Sequence, residues 1–371
     1  MKVPTLSTHR SAAFGLVAAL GGLIAASAPA AGAPFLFAGD YGLFNQENSR
    51  VLRFRDNGSG YTSIPSTPVS YPTANQVLGL ASANGTVYAA NYLGTNPSWP
   101  TGQFGSVVAI LNAGGTTPSV STLTINIPAG GDALKNPLGI AASSAFSDIL
   151  IVDSPDSGAR VIGYNPVSGS VTGVTGVASG TQGIALNPDG STVYTATNGN
   201  YNGNTDSALR VFSYAGGTLT PVGSSVNLPG GYGAAGLAFY GGYLYVSNYA
   251  TTGAAPAVIR YQDTGSALAL DNSWSLTDPA FFAGAAGIAF DNSGDLYVAN
   301  FVGGDIRRYT VGSTAGSFVA SYGSGFGATY SGLAFVDAVP VPEPAGVFGL
   351  VVLTAGAWAV VRRRAARPSA A

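Results

Sequence analysis

From about residue 35 to residue 337 the chain alternates between short apolar runs rich in Val, Ile, Leu, Tyr and Phe and clusters of Gly, Asn, Asp, Ser and Pro. The runs are too short for helices, and their alternation has the two-residue period of strands, so an all-β body is predicted. One unit recurs. Ala286-Gly287-Ile288-Ala289-Phe290 is followed by the turn Asp291-Asn292-Ser293-Gly294, by Asp295-Leu296-Tyr297-Val298-Ala299-Asn300-Phe301 and by Asp305-Ile306-Arg307-Arg308-Tyr309. The same order returns at Gly236-Leu237-Ala238-Phe239, Leu244-Tyr245-Val246-Ser247-Asn248-Tyr249 and Val258-Ile259-Arg260-Tyr261.

Glycines 79, 139, 183, 236, 287 and 332 open six such copies, at spacings of 60, 44, 53, 51 and 45 residues. A four-stranded propeller blade needs roughly 40 to 50 residues, and the longer spacings hold loop insertions at 93–106 and 199–207. The last copy stops after Gly332-Leu333-Ala334-Phe335, which alone would leave an open apolar edge. Its missing partners stand at the other end of the chain. Leu36-Phe37-Ala38-Gly39-Asp40-Tyr41 matches the second strand of the unit, and Arg50-Val51-Leu52-Arg53-Phe54 the third. The expectation is a six-bladed β-propeller over residues 31–338, closed by N- and C-terminal strands in one blade. A β-sandwich is the rival, and it explains neither the six units nor the complementary ends.

The two ends read differently from the body. Lys2 and Arg10 precede an apolar run, Ala12 to Ala26, and Ala28-Pro29-Ala30 has the A-x-A spacing of a cleavage site. Residues 1–30 are therefore expected to be a cleavable signal helix, with cleavage after Ala33 or an uncleaved anchor as alternatives. Residues 345–361 carry no charge and meet Arg362, Arg363 and Arg364 directly. That length just crosses a hydrocarbon core of about 30 Å. The arginines hold the tail, 362–371, on the cytoplasmic side. Signal peptidase and the membrane are thus expected partners. Residues 339–344 form a linker whose prolines keep Glu343 extended.

Composition narrows the chemistry. Six of the 15 Lys and Arg residues lie in the end segments, leaving nine against 17 acids and a body charge near −8. An acidic body whose one lysine is Lys135 does not offer the basic footprint that nucleic acid requires. There is no cysteine, and the one histidine, His9, sits in the signal segment. Histidine-based triads and His or Cys zinc sites are excluded from the body.

What remains is a polar position at the end of each second strand: Asp40, Asn91, Asp153, Thr197, Asn248 and Asn300. In a propeller these equivalent positions form a ring. Such oxygens suit a hard cation such as Ca²⁺ or another divalent metal; alternatively, each side chain bonds nearby turn backbone. Asp40 and Asp153 are candidates for a carboxylate pair, although no cofactor is required by the pattern. Trp99 and Tyr201, on the two insertions, are candidate contacts for a surface polysaccharide or protein ligand.

Two family resemblances rest on residues already quoted. The runs Gly287-Ile288-Ala289-Phe290-Asp291 and Gly294-Asp295-Leu296-Tyr297-Val298-Ala299-Asn300 resemble the NHL-repeat and gluconolactonase-like propellers. That resemblance implies a divalent metal held by a Glu, Asn and Asp set in the channel. Here the only glutamates, Glu47 and Glu343, match no such position. The order Pro342-Glu343-Pro344, apolar run, triple arginine is similar to a PEP-CTERM sorting signal. It implies recognition by an exosortase, anchoring on the periplasmic side of the inner membrane before processing, and a final place at the cell surface or outside. The expected function is a noncatalytic binding or structural component of the surface or matrix; the alternative is an exported metal-dependent hydrolase or lactonase using the polar ring.

Overall fold

The computed structural model describes residues 34–42, 49–56, 61–63, 69–70, 76–92, 105–115, 117–128, 133–155, 158–199, 207–230, 232–249, 256–279, 284–301, 303–323 and 329–336. The expected signal segment, the Pro342-Glu343-Pro344 motif, the apolar run 345–361, Arg362, Arg363 and Arg364, and the loop residues Trp99 and Tyr201 lie outside them. All described residues belong to one compact unit, Ala33–Ala338.

The chain opens with β1 (Phe35–Asp40), β2 (Arg50–Asp56), β3 (Tyr61–Ser63) and β4 (Val69–Ser70). The first full blade is β5 (Gln76–Ala83), β6 (Thr86–Tyr92), β7 (Ser106–Leu111) and β8 (Ser119–Leu123); the second is β9 (Pro137–Ala142), β10 (Ile149–Asp153), β11 (Ala159–Asn165) and β12 (Ser170–Val177). The third is β13 (Thr181–Leu186), β14 (Thr192–Thr197), β15 (Ala208–Ala215) and β16 (Thr218–Asn227). β17 (Ala234–Tyr240), β18 (Tyr243–Asn248), β19 (Val258–Asp263) and β20 (Leu268–Leu276) make the fourth. β21 (Ala285–Phe290), β22 (Leu296–Asn300), β23 (Asp305–Val311) and β24 (Gly316–Tyr322) make the fifth, and β25 (Tyr330–Val336) ends the body.

Each of the five full blades is a four-stranded antiparallel sheet with strands in sequence order. The sixth has the order β25-β1-β2-β3, with β4 also on β2. Leu36 pairs with Phe335 and Ala38 with Leu333, so the two ends of the body meet as strands. The six-bladed architecture and its closure therefore stand as expected.

The second strand of each blade is buried on both faces, and so reads as an unbroken apolar run such as Ile149-Leu150-Ile151-Val152. The core is divided. Six apolar clusters each lie between two neighbouring blades, for example Phe35, Val77 and Val108 between the sixth and first. No blade buries its faces alone, which is why the ring must close.

The repeating glycines have a specific role. The innermost strands contact one another in the closed cycle β25, β5, β9, β13, β17, β21 and back to β25. A Cβ on Gly287 would stand 2.1 Å from the Ser331 carbonyl oxygen, one on Gly139 2.2 Å from that of Gln182, and one on Gly332 2.6 Å from the Leu80 nitrogen. The missing side chains let each inner strand approach the backbone of the next. Pairing with the second strand shifts register beside every one of these six positions.

Candidate functional site

Five of the six polar positions end a second strand and Asn91 is the last but one of β6, at the face where the chain leaves β6 and β14 for the two long insertions. All are buried. Each spends its side chain on its own blade and the adjoining loop. Asp153 accepts from the backbone N–H of Lys135 at 3.1 Å and Asn136 at 2.7 Å, and pairs with Arg160 through Nε at 3.0 Å and Nη2 at 2.7 Å. Asp40 accepts from the N–H of Thr329 at 2.9 Å and Gly42 at 3.1 Å, and from Arg50 at 3.3 Å.

Asn248 accepts from Gly233 N–H at 3.0 Å and donates to the Pro256 carbonyl at 3.3 Å. Asn300 accepts from Gly303 N–H at 3.2 Å and donates to Asp305 at 2.7 Å. Thr197 bonds both backbone groups of Ala208, and Asn91 donates to Ser106 at 3.2 Å. Asn91 Oδ1 is buried without a hydrogen-bond partner among the described residues. The ring thus clasps loops to strands, as Asn and Asp do wherever backbone donors lie within reach. Among the described residues no three Asp, Glu, His or Cys side chains converge to hold a metal.

In five of the six copies the next residue turns toward the axis; in the second copy that residue, Ser154, does not line it. Tyr41, Tyr92, Asn198, Tyr249 and Phe301 line one cavity of about 380 Å³ running down the propeller axis. Tyr41 and Tyr249 flank Phe301, with ring centroids 5.3 Å and 5.2 Å from it, so an aromatic arc spans the fourth, fifth and sixth blades. Tyr92 of the first blade extends it. Burial holds the Tyr249 phenol above its usual pKa, and therefore neutral.

The third blade breaks the arc, because there Asn198 donates from Nδ2 to Gln182 Oε1 at 3.2 Å and puts an amide pair on the wall. Deeper in, the residue after each repeat glycine supplies an aliphatic side chain: Leu80, Ile140, Ile184, Leu237, Ile288 and Leu333. Among the described residues no Asp, Glu, Lys, Arg or His lines the cavity. Apolar walls with a few oriented polar groups are the usual make-up of a small-molecule site.

Tyr41, Tyr92, Asn198, Tyr249 and Phe301 stand one position beyond the polar ring that the sequence singles out. Their signal lay in the pairs Asp40-Tyr41, Asn91-Tyr92, Asn248-Tyr249 and Asn300-Phe301, where the polar member attracts attention and the aromatic member reaches the axis. Successive residues of a strand point to opposite sides, so only one of each pair can do so.

No protein-family model matches the chain, and no curated protein sequence matches it. Solved structures show the same fold. A nidogen/laminin complex chain aligns with TM-score 0.56 at 14% identity, covering 82% of this chain and 98% of that one. A putative 6-phosphogluconolactonase from Bacteroides uniformis aligns with TM-score 0.53 at 15% identity, covering 79% and 83%. A periplasmic gluconolactonase from Pseudomonas aeruginosa gives 0.51 at 15%, covering 82% and 99%. At this identity the likeness extends to the fold.

Proposed function

We propose that the protein is an exported, noncatalytic binding component of the cell surface or matrix, whose propeller takes a neutral saccharide ring in its axial cavity. The observation that carries this reading is the make-up of the wall, an aromatic arc facing an amide pair with no carboxylate, imidazole, amine or guanidinium among the described residues. A pyranose ring has an apolar C–H face that packs on an aromatic ring and hydroxyl edges that seek amide and phenol partners, and the arc and the Gln182–Asn198 pair supply both. Proton transfer needs a titratable group within reach of the reacting atom. The carboxylates closest in sequence to the rim, Asp40 and Asp153, are held by arginines and backbone N–H groups.

Location rests on the sequence of the ends. Signal peptidase cleavage near Ala30, recognition of Pro342-Glu343-Pro344 by an exosortase-type enzyme, and anchoring by 345–361 ahead of Arg362, Arg363 and Arg364 together deliver the body outside the inner membrane. Trp99 and Tyr201, on the insertions that follow β6 and β14 in the sequence, are proposed to extend the cavity's contacts with a polysaccharide or protein.

The competing reading is an exported divalent-metal-dependent lactonase, favoured by the Asp and Asn ring and by the lactonases among the structural neighbours. One comparison separates the two. Residues 33–338 are titrated with neutral monosaccharides by ligand-observed NMR, and assayed for δ-lactone hydrolysis with and without Ca²⁺. Binding without turnover is expected, and Phe301→Ala is expected to weaken it about tenfold, the worth of one well-placed aromatic contact. Metal-dependent turnover would establish the lactonase instead, and saccharide binding unaffected by Phe301→Ala would move the site off the axis.

A further inference from the structure

A propeller's outer strands leave free edges, and natural proteins guard such edges with charge, proline, bulges or brevity. The guards differ from blade to blade. β16 contains Pro221 and is thrown out of register around Gly223, whose φ is +67°. β20 carries Asp271, held by Arg260 at 2.8 Å, and loses register between Leu270 and Ser275. β24 shifts between Phe318 and Ala320, and β12 between Val171 and Gly173. In the sixth blade the outer position is split into β3 and β4, of 3 and 2 residues.

β8 has no proline, charge or bulge, and brevity is its one guard. Its 5 residues, Ser119-Val120-Ser121-Thr122-Leu123, pair with β7 without a break from Leu111 opposite Ser119 to Val107 opposite Leu123. It has no proline and no charge, and Ser119 to Thr122 are all exposed. Val120 is 49% and Leu111 43% exposed. Residues 57–131, which contain the whole first blade, hold no Asp, Glu, Lys, Arg or His.

We propose that β8 pairs with β8 of a second copy of this chain, antiparallel across a two-fold axis, joining two first blades into one continuous sheet. The strand is self-complementary about Ser121: Ser121 faces Ser121, Val120 faces Thr122, and Ser119 faces Leu123. Hydroxyl and β-branched cross-strand pairs of this kind are favourable, and no like charges meet. Charge selects the blade. Two bodies each carrying a net negative charge repel one another, and the surface that lacks charge is where they approach at least cost. A two-fold contact occupies β8 in both partners, so assembly stops at a dimer. An interface built on one short strand is small, so it is weak in dilute solution and gains strength where copies are concentrated on a surface.

The chain's lack of cysteine supplies the test. In residues 33–338, Ser121→Cys is placed on the two-fold, where facing residues of paired strands lie within the Cα separation a disulfide spans. Mild oxidation is expected to give a covalent dimer at least tenfold faster than in Ser225→Cys, an exposed position on the guarded β16. Sedimentation of the cysteine-free body is expected to show mass rising from monomer toward dimer with concentration, and Val120→Lys is expected to abolish the rise while leaving the thermal midpoint unchanged. Equal crosslinking at the two positions, a mass that stays monomeric at all concentrations, or species beyond the dimer would overturn the proposal.

Discussion

Asp153 has no exposed surface, and its carboxylate is shared between Arg160 and two loop N–H groups. Asp153→Asn leaves Arg160 largely buried without its counter-charge, and removing one partner of such a pair costs about 3 kcal/mol. Urea unfolding of the variant is expected to show a loss of that size, with no change in saccharide binding, because Asp153 does not line the cavity. A drop in ligand affinity at unchanged stability would give Asp153 a direct place in the site. That a polar residue stands at or next to the end of each second strand was legible in the sequence; which partner it takes was not. The donors come from loops such as 133–136 and from residues as remote as Thr329, and no local pattern states where a loop will deliver an N–H.

At the scale of elements, the glycine of each inner strand is a packing residue. Gly287→Ala sets a Cβ 2.1 Å from the Ser331 carbonyl oxygen, in backbone that cannot retreat without parting two blades. Overpacking of this kind costs roughly 1–3 kcal/mol or more. Gly176 in β12 has nothing within 4 Å of its would-be Cβ. Gly176→Ala is expected to be neutral or to stabilise by about 0.5 kcal/mol through the chain entropy of glycine. Thermal midpoints of the two variants check the contrast, and equal effects would deny the glycine ring its role. The repeat glycines announced the six units in the sequence, but their purpose was hidden. It depends on strands from separate copies lying side by side, as Gly236 lies on Ala286 and Gly287.

The whole molecule has an unusual titration behaviour built into it. The body contains neither histidine nor cysteine, so its side chains change charge little between about pH 6 and 9. Burial pushes the Tyr261 phenol up to about 12. Tyr194 and Tyr309 are also raised, by burial first and then by hydrogen bonds to Asp263 and Asp278, and Tyr232 and Tyr330 by burial first. Because these folded values exceed the unfolded value near 10, the stability they confer is complete below about pH 10 and is lost as pH rises through the folded values. The urea midpoint is expected to be flat from pH 6 to 9 and to fall steeply above pH 10. A slope across neutral pH would point to a titrating group that the body's composition does not contain.

The join of β1 to β25 carries a consequence for biosynthesis. A chain is made from its N-terminus, so β1 exists for nearly the whole of translation with one side unpaired. Leu36 and Ala38 belong to a cluster that also needs Tyr330 and Leu333, and the cluster is incomplete until the last of these has been made. A product cut short before residue 330 therefore cannot hide β1, and its first and fifth blades each lack the inner strand β25 that they contact. Residues 33–328 are expected to be digested by protease under conditions in which 33–338 persists. The seam is in effect a proofreading step for length, since the ring shuts only around a body whose last strand has been made.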